Sequence, residues 1–257
     1  MLIALTREVS PRISECELTF IDRAPIDFEK AVHQHRQYQQ LLRNLGAEVV
    51  QLPADPQCPD SCFLEDTALV LDEIAILTRP GSDARRAEVG GVAPAVMTHR
   101  KTVRIAEPGT LEAGDVLRIG RNLFVGLTTR TNEQGIAMMR VALQPYGYKV
   151  IAVPIDGALH LKSICTALDD RTLLADTRRF DSSFFPGYEI VQVPTEEWAA
   201  ANILRLNGAI GMHSGFPQTE KLVRTKGFDV RTVDISEFLK AEAGLTCLSI
   251  PFETAAR

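Results

Sequence analysis

Leu2-Ile3-Ala4-Leu5-Thr6-Arg7 is a short apolar run closed by Thr-Arg, and Ala75-Ile76-Leu77-Thr78-Arg79 closely resembles it. Strand-like runs of the same character recur at Leu123 to Arg130, Leu173 to Arg178 and, more weakly, Ala209 to His213. A second series of short strands ends near a proline or aspartate: Val49 to Pro53, Val103 to Pro108, Val150 to Pro154, Ile190 to Pro194 and Val230 to Asp234. Their starts lie roughly forty to fifty-five residues apart, a spacing that marks a repeat architecture. The first four are each followed by a run of the first kind; the fifth is not, because the chain ends. Leu2 to Arg7 supplies the missing strand from the other end. The pattern predicts a ring of five units in which the N-terminal strand completes the last one, and such closure leaves fewer exposed sheet edges. Loops after equivalent strands then converge on one central site, where residues far apart in sequence meet.

Helical periodicity fits between these strands. From Asp27 to Leu45 the apolar positions Phe28, Val32, Tyr38, Leu41, Leu42 and Leu45 fall on one face, His35 fills the gap in that stripe, and Gly46 stops the helix. Asn132 to Tyr146 and Thr219 to Lys226 also read as helices.

A chain of 257 residues can bury a substantial core. Its net charge of -5 offers no basic footprint for nucleic acid or an anionic membrane. No apolar run reaches the roughly 18 residues of a membrane span, and the start of the chain is charged too soon for a signal peptide. Five cysteines, Cys16, Cys58, Cys62, Cys165 and Cys247, form an odd set that suits reduced thiols in a cytoplasm better than a disulfide framework. Cys58 and Cys62 make a C-x3-C pair, but no second Cys/His pair follows at zinc-ligand spacing. Nucleotide and zinc-protease motifs are missing too.

The polar segments that follow the strands carry the chemistry. Pro59 to Asp66 holds the carboxylates of Asp60, Glu65 and Asp66 beside Phe63 and Leu64, which reads either as a solvated acidic loop or as a seat for a cation. Glu112 and Asp115 lie in a glycine-punctuated turn, where a carboxylate satisfies backbone amides, orients a histidine or binds a guanidinium. His160 sits between apolar residues at the start of another polar segment, unlike His33, His35, His99 and His213. Cys247 lies in the apolar run Ala243 to Pro251, where a cysteine reads as a small buried hydrophobe or as a nucleophile. Taken together, Glu112, His160 and Cys247 have the composition of a nucleophilic site: a thiol, an acid/base and an orienting carboxylate.

Six segments in order, PDSCFLEDTALV (59–70), ILTRPGSDARRAEV (76–89), GTLEAGDV (109–116), GLTTRTNEQG (126–135), HLKS (160–163) and GLTCLSIPF (244–252), resemble those of the dimethylarginine dimethylaminohydrolases of the guanidine-modifying superfamily. The resemblance spans nearly the whole chain. It implies one catalytic domain over residues 1–257 with the pentein fold, a five-bladed α/β propeller with pseudo-fivefold symmetry. The implied reaction is hydrolysis of Nω-methylated arginines to citrulline and a methylamine, without metal or organic cofactor. By motif match, Cys247 attacks the guanidinium carbon, His160 protonates the departing amine and then activates water, and Glu112 holds His160. Asp66 binds the guanidinium nitrogens with Glu65 beside it, Asp60 fixes the α-amino group, and Arg85 and Arg130 grip the α-carboxylate. Leu18 matches a residue on a flexible lid and Ser163 one near the site. Ala241 and Glu242 match substrate-binding positions before the cysteine, although family members often carry aspartate where this chain has Glu242. A homodimer is the assembly that the resemblance suggests. The rival readings are a deiminase of the same superfamily acting on unmethylated arginine, and a pentein that only binds.

Overall fold

The computed structural model describes residues Met1–Thr254; the last three positions of the expected 1–257 domain lie outside the described residues. The chain opens on β1 (Leu2–Arg7), which runs parallel to β2 (Glu48–Leu52). Four three-stranded sheets follow in order. They are β3 (Ala68–Val70), β4 (Ile74–Leu77) and β5 (Lys101–Arg104), then β6 (Val116–Ile119), β7 (Asn122–Leu127) and β8 (Lys149–Pro154). After them come β9 (Cys165–Ala167), β10 (Thr172–Ala175) and β11 (Glu189–Gln192), then β12 (Leu204–Leu206), β13 (Ala209–His213) and β14 (Asp229–Val233). In each, the first strand is antiparallel to the second and the second is parallel to the third. Finally β15 (Ile250–Glu253) pairs antiparallel with β1, setting Leu2 opposite Glu253 and Leu5 opposite Ile250. The sheet β15-β1-β2 therefore has the same internal order as the other four. The N-terminal strand completes the last unit of an α/β five-unit propeller, as the copy of Leu2 to Arg7 at Ala75 to Arg79 predicts.

A parallel pairing needs a crossover long enough to carry the chain back. In chain order the helices are α1 (Phe28–Asn44), α2 (Glu88–Met97), α3 (Glu133–Leu143), α4 (Leu161–Ile164), α5 (Pro217–Thr225) and α6 (Ser236–Leu239). α1, α2, α3 and α5 fill four of the five crossovers, and the β10–β11 crossover makes do with a 3-10 turn at Ser182–Phe184. α1 starts where Asp27 accepts a hydrogen bond from the Lys30 N–H, and it buries His35 and Tyr38 on the predicted face. α2 escaped the sequence reading because Gly90, Gly91 and Pro94 are poor helix formers. Its glycine has a packing cause: the Arg7 guanidinium donates to the Gly91 carbonyl at 2.7 Å, and a Cβ at Gly91 would lie 2.6 Å from Arg7 Nη2.

The second strands are the most apolar part of each sheet; β4 and β10 are buried at every position. The first strands turn inward. Residues of β3, β6, β9, β12 and β15 all line one axial cavity of about 720 Å³. The turns leading into those first strands sit at its inner end, and the chemistry is found there.

Candidate active site

Five equivalent turns supply the site. Asp66 lies in the 3-10 turn Leu64–Thr67 before β3, and Glu112 in extended backbone at the turn Ala113–Asp115 before β6. His160, also extended, caps α4 before β9; Asn202 precedes β12; Cys247 lies in the turn Thr246–Leu248 before β15. One position of the repeat thus contributes one functional side chain from each unit. Asn202 escaped the sequence reading because an Asn after an alanine run carries no motif. Its amide accepts from the Thr246 N–H at 3.0 Å and donates to the Lys162 carbonyl and the Thr246 hydroxyl. It therefore ties the turn bearing the thiol to the turn bearing His160.

His160 Nε2 lies 2.6 Å from Glu112 Oε2 and 3.8 Å from Asp66 Oδ1, with all three side chains buried. Glu112 is held from its other side by the Gly81 N–H at 3.0 Å. Asp115 fixes the turn that carries His160 by accepting from the Leu161 N–H and from the Thr128 hydroxyl. Asp66 accepts from the Gly114 N–H through Oδ1 and from Arg85 Nη1 through Oδ2 at 2.7 Å. Gly114 was not singled out in the sequence, yet a Cβ there would meet Asp66 Oδ1 at 2.6 Å and His160 Nδ1 at 2.7 Å. Cys247 is 8% exposed, its sulfur accepts from the Gly244 N–H at 3.4 Å, and it lines the same small cavity as His160 and Asp66.

The electrostatics separate thiol from imidazole. Burial pushes the Cys247 thiol up, and the charges of Glu65 and Asp66 add to this, taking it to about 12. Burial alone would push His160 down, but Asp66, Asp115 and Glu112 outweigh it and hold the imidazole up at about 9. Asp66 shows the converse: burial would raise it, yet His160 and Arg85 keep it below the usual carboxylate range. At neutral pH the site's own residues are therefore a thiol, an imidazolium and an ionised Asp66. Donor atoms of Asp66, Glu112 and His160 also lie within 4.8 Å of one another, a set that suits a divalent cation. Here each already has a partner: His160 has Glu112, and Asp66 has Arg85 and Gly114.

The remaining sequence candidates divide. Asp60, Arg85, Arg130, Ala241 and Glu242 line the cavity with Cys247, together with Glu17, Phe63, Leu159 and Ala243. Arg85 spends four N–H donors on Glu88, Asp66 and the Phe63 carbonyl, which leaves one of its five. Glu65 faces the axial cavity instead, accepting from Lys162 Nζ at 2.5 Å and the Thr246 hydroxyl at 2.6 Å. It supports the turn bearing Cys247 from below. Ser163 lies on α4 and lines a neighbouring apolar cavity with Trp198 and Phe216. Leu18 packs against the cluster that contains Cys247, within a segment covering the site. That segment is pinned by hydrogen bonds from the Thr19 and Phe20 N–H groups to the Glu242 carboxylate, at 2.7 and 3.0 Å. Glu242 does this from a left-handed backbone, φ 59°, which costs a residue other than glycine about 1 kcal/mol or more.

With this geometry in view, comparison with known proteins finds a match over residues 20–211 to the family of eukaryotic N,N dimethylarginine dimethylhydrolases. The chain is 39% identical to an N(G),N(G)-dimethylarginine dimethylaminohydrolase of Streptomyces coelicolor, covering 96% of this chain and 95% of that one. Its structure superimposes on a Cys-to-Ser variant of the Pseudomonas aeruginosa enzyme complexed with citrulline, with TM-score 0.93 and 32% identity over 97% of this chain and 98% of the other. It is similar, too, to a His-to-Gly variant of a dimethylarginine dimethylaminohydrolase carrying an adduct of S-methyl-L-thiocitrulline, with TM-score 0.92 and 32% identity over 98% and 100% of the chains.

Proposed function

The chain belongs to the dimethylarginine dimethylaminohydrolase family, and on that premise we infer that it hydrolyses Nω-methylated L-arginines. Asymmetric dimethylarginine gives L-citrulline and dimethylamine; monomethylarginine gives L-citrulline and methylamine. The citrulline complex and the S-methyl-L-thiocitrulline adduct of its relatives support this product and a covalent cysteine intermediate. One observation carries the reading most: a thiol, an imidazolium and two carboxylates come together from equivalent turns of four units.

The chemistry follows from the charges. A guanidinium is planar and permanently charged, so carboxylates in its plane recognise it; Asp66 takes that part, steadied by Arg85. His160 already carries a proton, so it does not receive the one on Cys247. That proton passes to solvent as the cationic substrate binds, because the substrate's charge lowers the thiol pKa. A positive charge about 4 Å from the sulfur contributes ~4 kcal/mol at an effective dielectric of about 20. That is about three pK units, enough to bring the thiol from about 12 into the range of His160.

The thiolate adds to the guanidinium carbon. His160 gives its proton to the methylated nitrogen, and the C–N bond breaks to release the amine and leave a thiouronium on Cys247. Neutral His160 then takes a proton from water as its oxygen adds to the same carbon. The C–S bond breaks, the added oxygen gives up its remaining proton to the departing Cys247 thiolate, and citrulline leaves with the thiol restored. Glu112 holds the imidazole throughout. At the other end of the substrate, Asp60 faces the α-ammonium, Arg130 and the remaining Arg85 donor face the α-carboxylate, and Leu18, Ala241 and Glu242 close the pocket.

The domain is a single catalytic unit in this proposal. Among the described residues no helix is long and apolar enough to cross a membrane. A cytoplasmic location rests on the odd set of cysteines, and a homodimer on the family resemblance.

Incubation with asymmetric dimethylarginine, monomethylarginine, arginine and agmatine, followed by an assay for ureido products, tests the function. Citrulline is expected from the methylated substrates first. Equal rates with arginine would make the protein a deiminase, and no product from any of the four would remove the catalytic reading. Gly114→Ala probes the packing of the site: its methyl group must displace Asp66 or His160. A displacement of about 1 Å costs about 10²-fold in rate. Retained turnover in that variant, measured beside its melting temperature, would show that the close approach is not needed.

A further inference from the structure

Asp60 and Arg130, the residues assigned above to the two ends of the substrate's α-amino-acid group, are both already engaged by one residue of the covering segment. The Glu17 N–H donates to Asp60 Oδ2 at 3.1 Å, and the Glu17 carboxylate accepts from Arg130 Nη1 at 3.1 Å. Glu17 thus presents an N–H to the carboxylate and a carboxylate to the guanidinium, which is the polarity of an amino acid's head group. Arg130 Nη2 donates to the Thr19 hydroxyl, so both of its terminal nitrogens point into the segment Glu17–Phe20. The cavity shared by Glu17, Asp60, Arg85, Arg130 and Cys247 retains only about 20 Å³ of free space. That is room for little more than one water, not for a substrate head group beside the Glu17 side chain.

We propose that Glu17 acts as an internal stand-in for the substrate's α-amino-acid group, setting affinity by competing with the α-carboxylate for Arg130. The inference rests on the roles proposed above for Asp60 and Arg130. Glu17 is charged where this matters. Burial would raise its carboxyl, but hydrogen bonds from Ser82 and Arg130, and the charges of Arg130 and Arg85, hold it below the usual range. A substrate bearing an α-carboxylate replaces like with like at Arg130, and in doing so lifts the segment that covers the site. A guanidine without a carboxylate has nothing to put in place of Glu17, so it gains nothing when Glu17 is removed. The residue therefore bears on selectivity as well as on affinity.

The Glu17 side chain is one-third exposed, so the pair is screened, and a contact of this kind is worth a factor of about three to five. Glu17→Gln and Glu17→Ala are compared with the unmodified enzyme on two substrates: asymmetric dimethylarginine, and its decarboxylated counterpart Nω,Nω-dimethylagmatine. KM for dimethylarginine is expected to fall about three- to fivefold in both variants, and citrulline, followed by calorimetry, to bind more tightly by the same factor. KM for the decarboxylated substrate is expected to stay in place. A KM for dimethylarginine that is unchanged or higher in both variants overturns the proposal. So does an equal fall for both substrates, which would mark general loosening of the segment. If the unmodified enzyme yields no ureido product from dimethylarginine, the proposed function itself fails, a result easily told from an active enzyme indifferent to residue 17.

Discussion

Cys247→Ser is expected to lower citrulline formation from dimethylarginine by about 10⁴-fold or more, the scale on which loss of a nucleophile is felt. Even the thiol depends on the substrate's charge, since burial, with Glu65 and Asp66, holds it at about 12. A serine hydroxyl is a far weaker acid than a thiol, and about three units of help from the bound cation leave it protonated. The fold should be indifferent. Among the described residues the one hydrogen bond to the sulfur comes from the Gly244 N–H, which a hydroxyl oxygen also accepts, and the neighbouring Thr246 is held by Asn202 and Glu65 whatever stands at position 247. Ureido-product assay and thermal unfolding of the same preparation read both halves. Turnover near that of the unmodified enzyme would take Cys247 out of the mechanism.

His160→Gly is expected to cost about 10² to 10⁴ in turnover of dimethylarginine, the range of general acid–base catalysis. Its pH signature is more telling than its size. The imidazolium is stabilised by Asp66, Asp115 and Glu112 against the opposing effect of burial, which places its titration at about 9. The acid form is the one that delivers a proton to dimethylamine, so the rate of the unmodified enzyme should fall as pH rises through about 9, and that limb should vanish in the variant. A second consequence follows from the leaving group. S-Methyl-L-thiocitrulline expels a thiolate, which leaves without a proton donor, so the first half-reaction should survive the loss of His160. Hydrolysis of the thiouronium still needs water activated, and the adduct should accumulate as a stable mass increment on Cys247. An unchanged alkaline limb, or rapid turnover with no adduct, would assign the proton to another group.

The sequence carried the plan of this molecule better than its details. The likeness of Leu2–Arg7 to Ala75–Arg79 was enough to close the ring, because second strands buried on both faces must be apolar along their length. First strands of three residues, such as β3, β9 and β12, are too short to show a period. α2 was hidden by Gly90, Gly91 and Pro94, and Gly91 is explained only by Arg7, which lies far away in sequence. The site divides in the same way. Cys247, His160, Glu112 and Asp66 were recognisable as residue types able to do chemistry and through motifs. Asn202, Gly114 and Glu17 were not, since each matters only through what folding sets beside it: Thr246, the pair Asp66 and His160, and Arg130. Glu65 shows the limit of reading a motif residue by residue. It sits next to Asp66 in the motif, but adjacent residues of a tight turn face different ways, and its carboxylate serves Lys162 and Thr246 on the axial side.

The pairing of β15 with β1 also fixes an order of events at the ribosome. β1 precedes the other strands in the sequence, and its antiparallel partner β15 comes only after the strands of the other four sheets, directly behind Cys247. Until then β1 has an open edge, a liability that pairing elsewhere would exploit. Asp66, Glu112 and His160 are all synthesised before Cys247, whose turn is tied to theirs through Asn202 and Glu65 and leads directly into β15. A chain that has not yet reached Cys247 lacks the thiol, and one cut before its turn would lose both the thiol and the closure of the ring together.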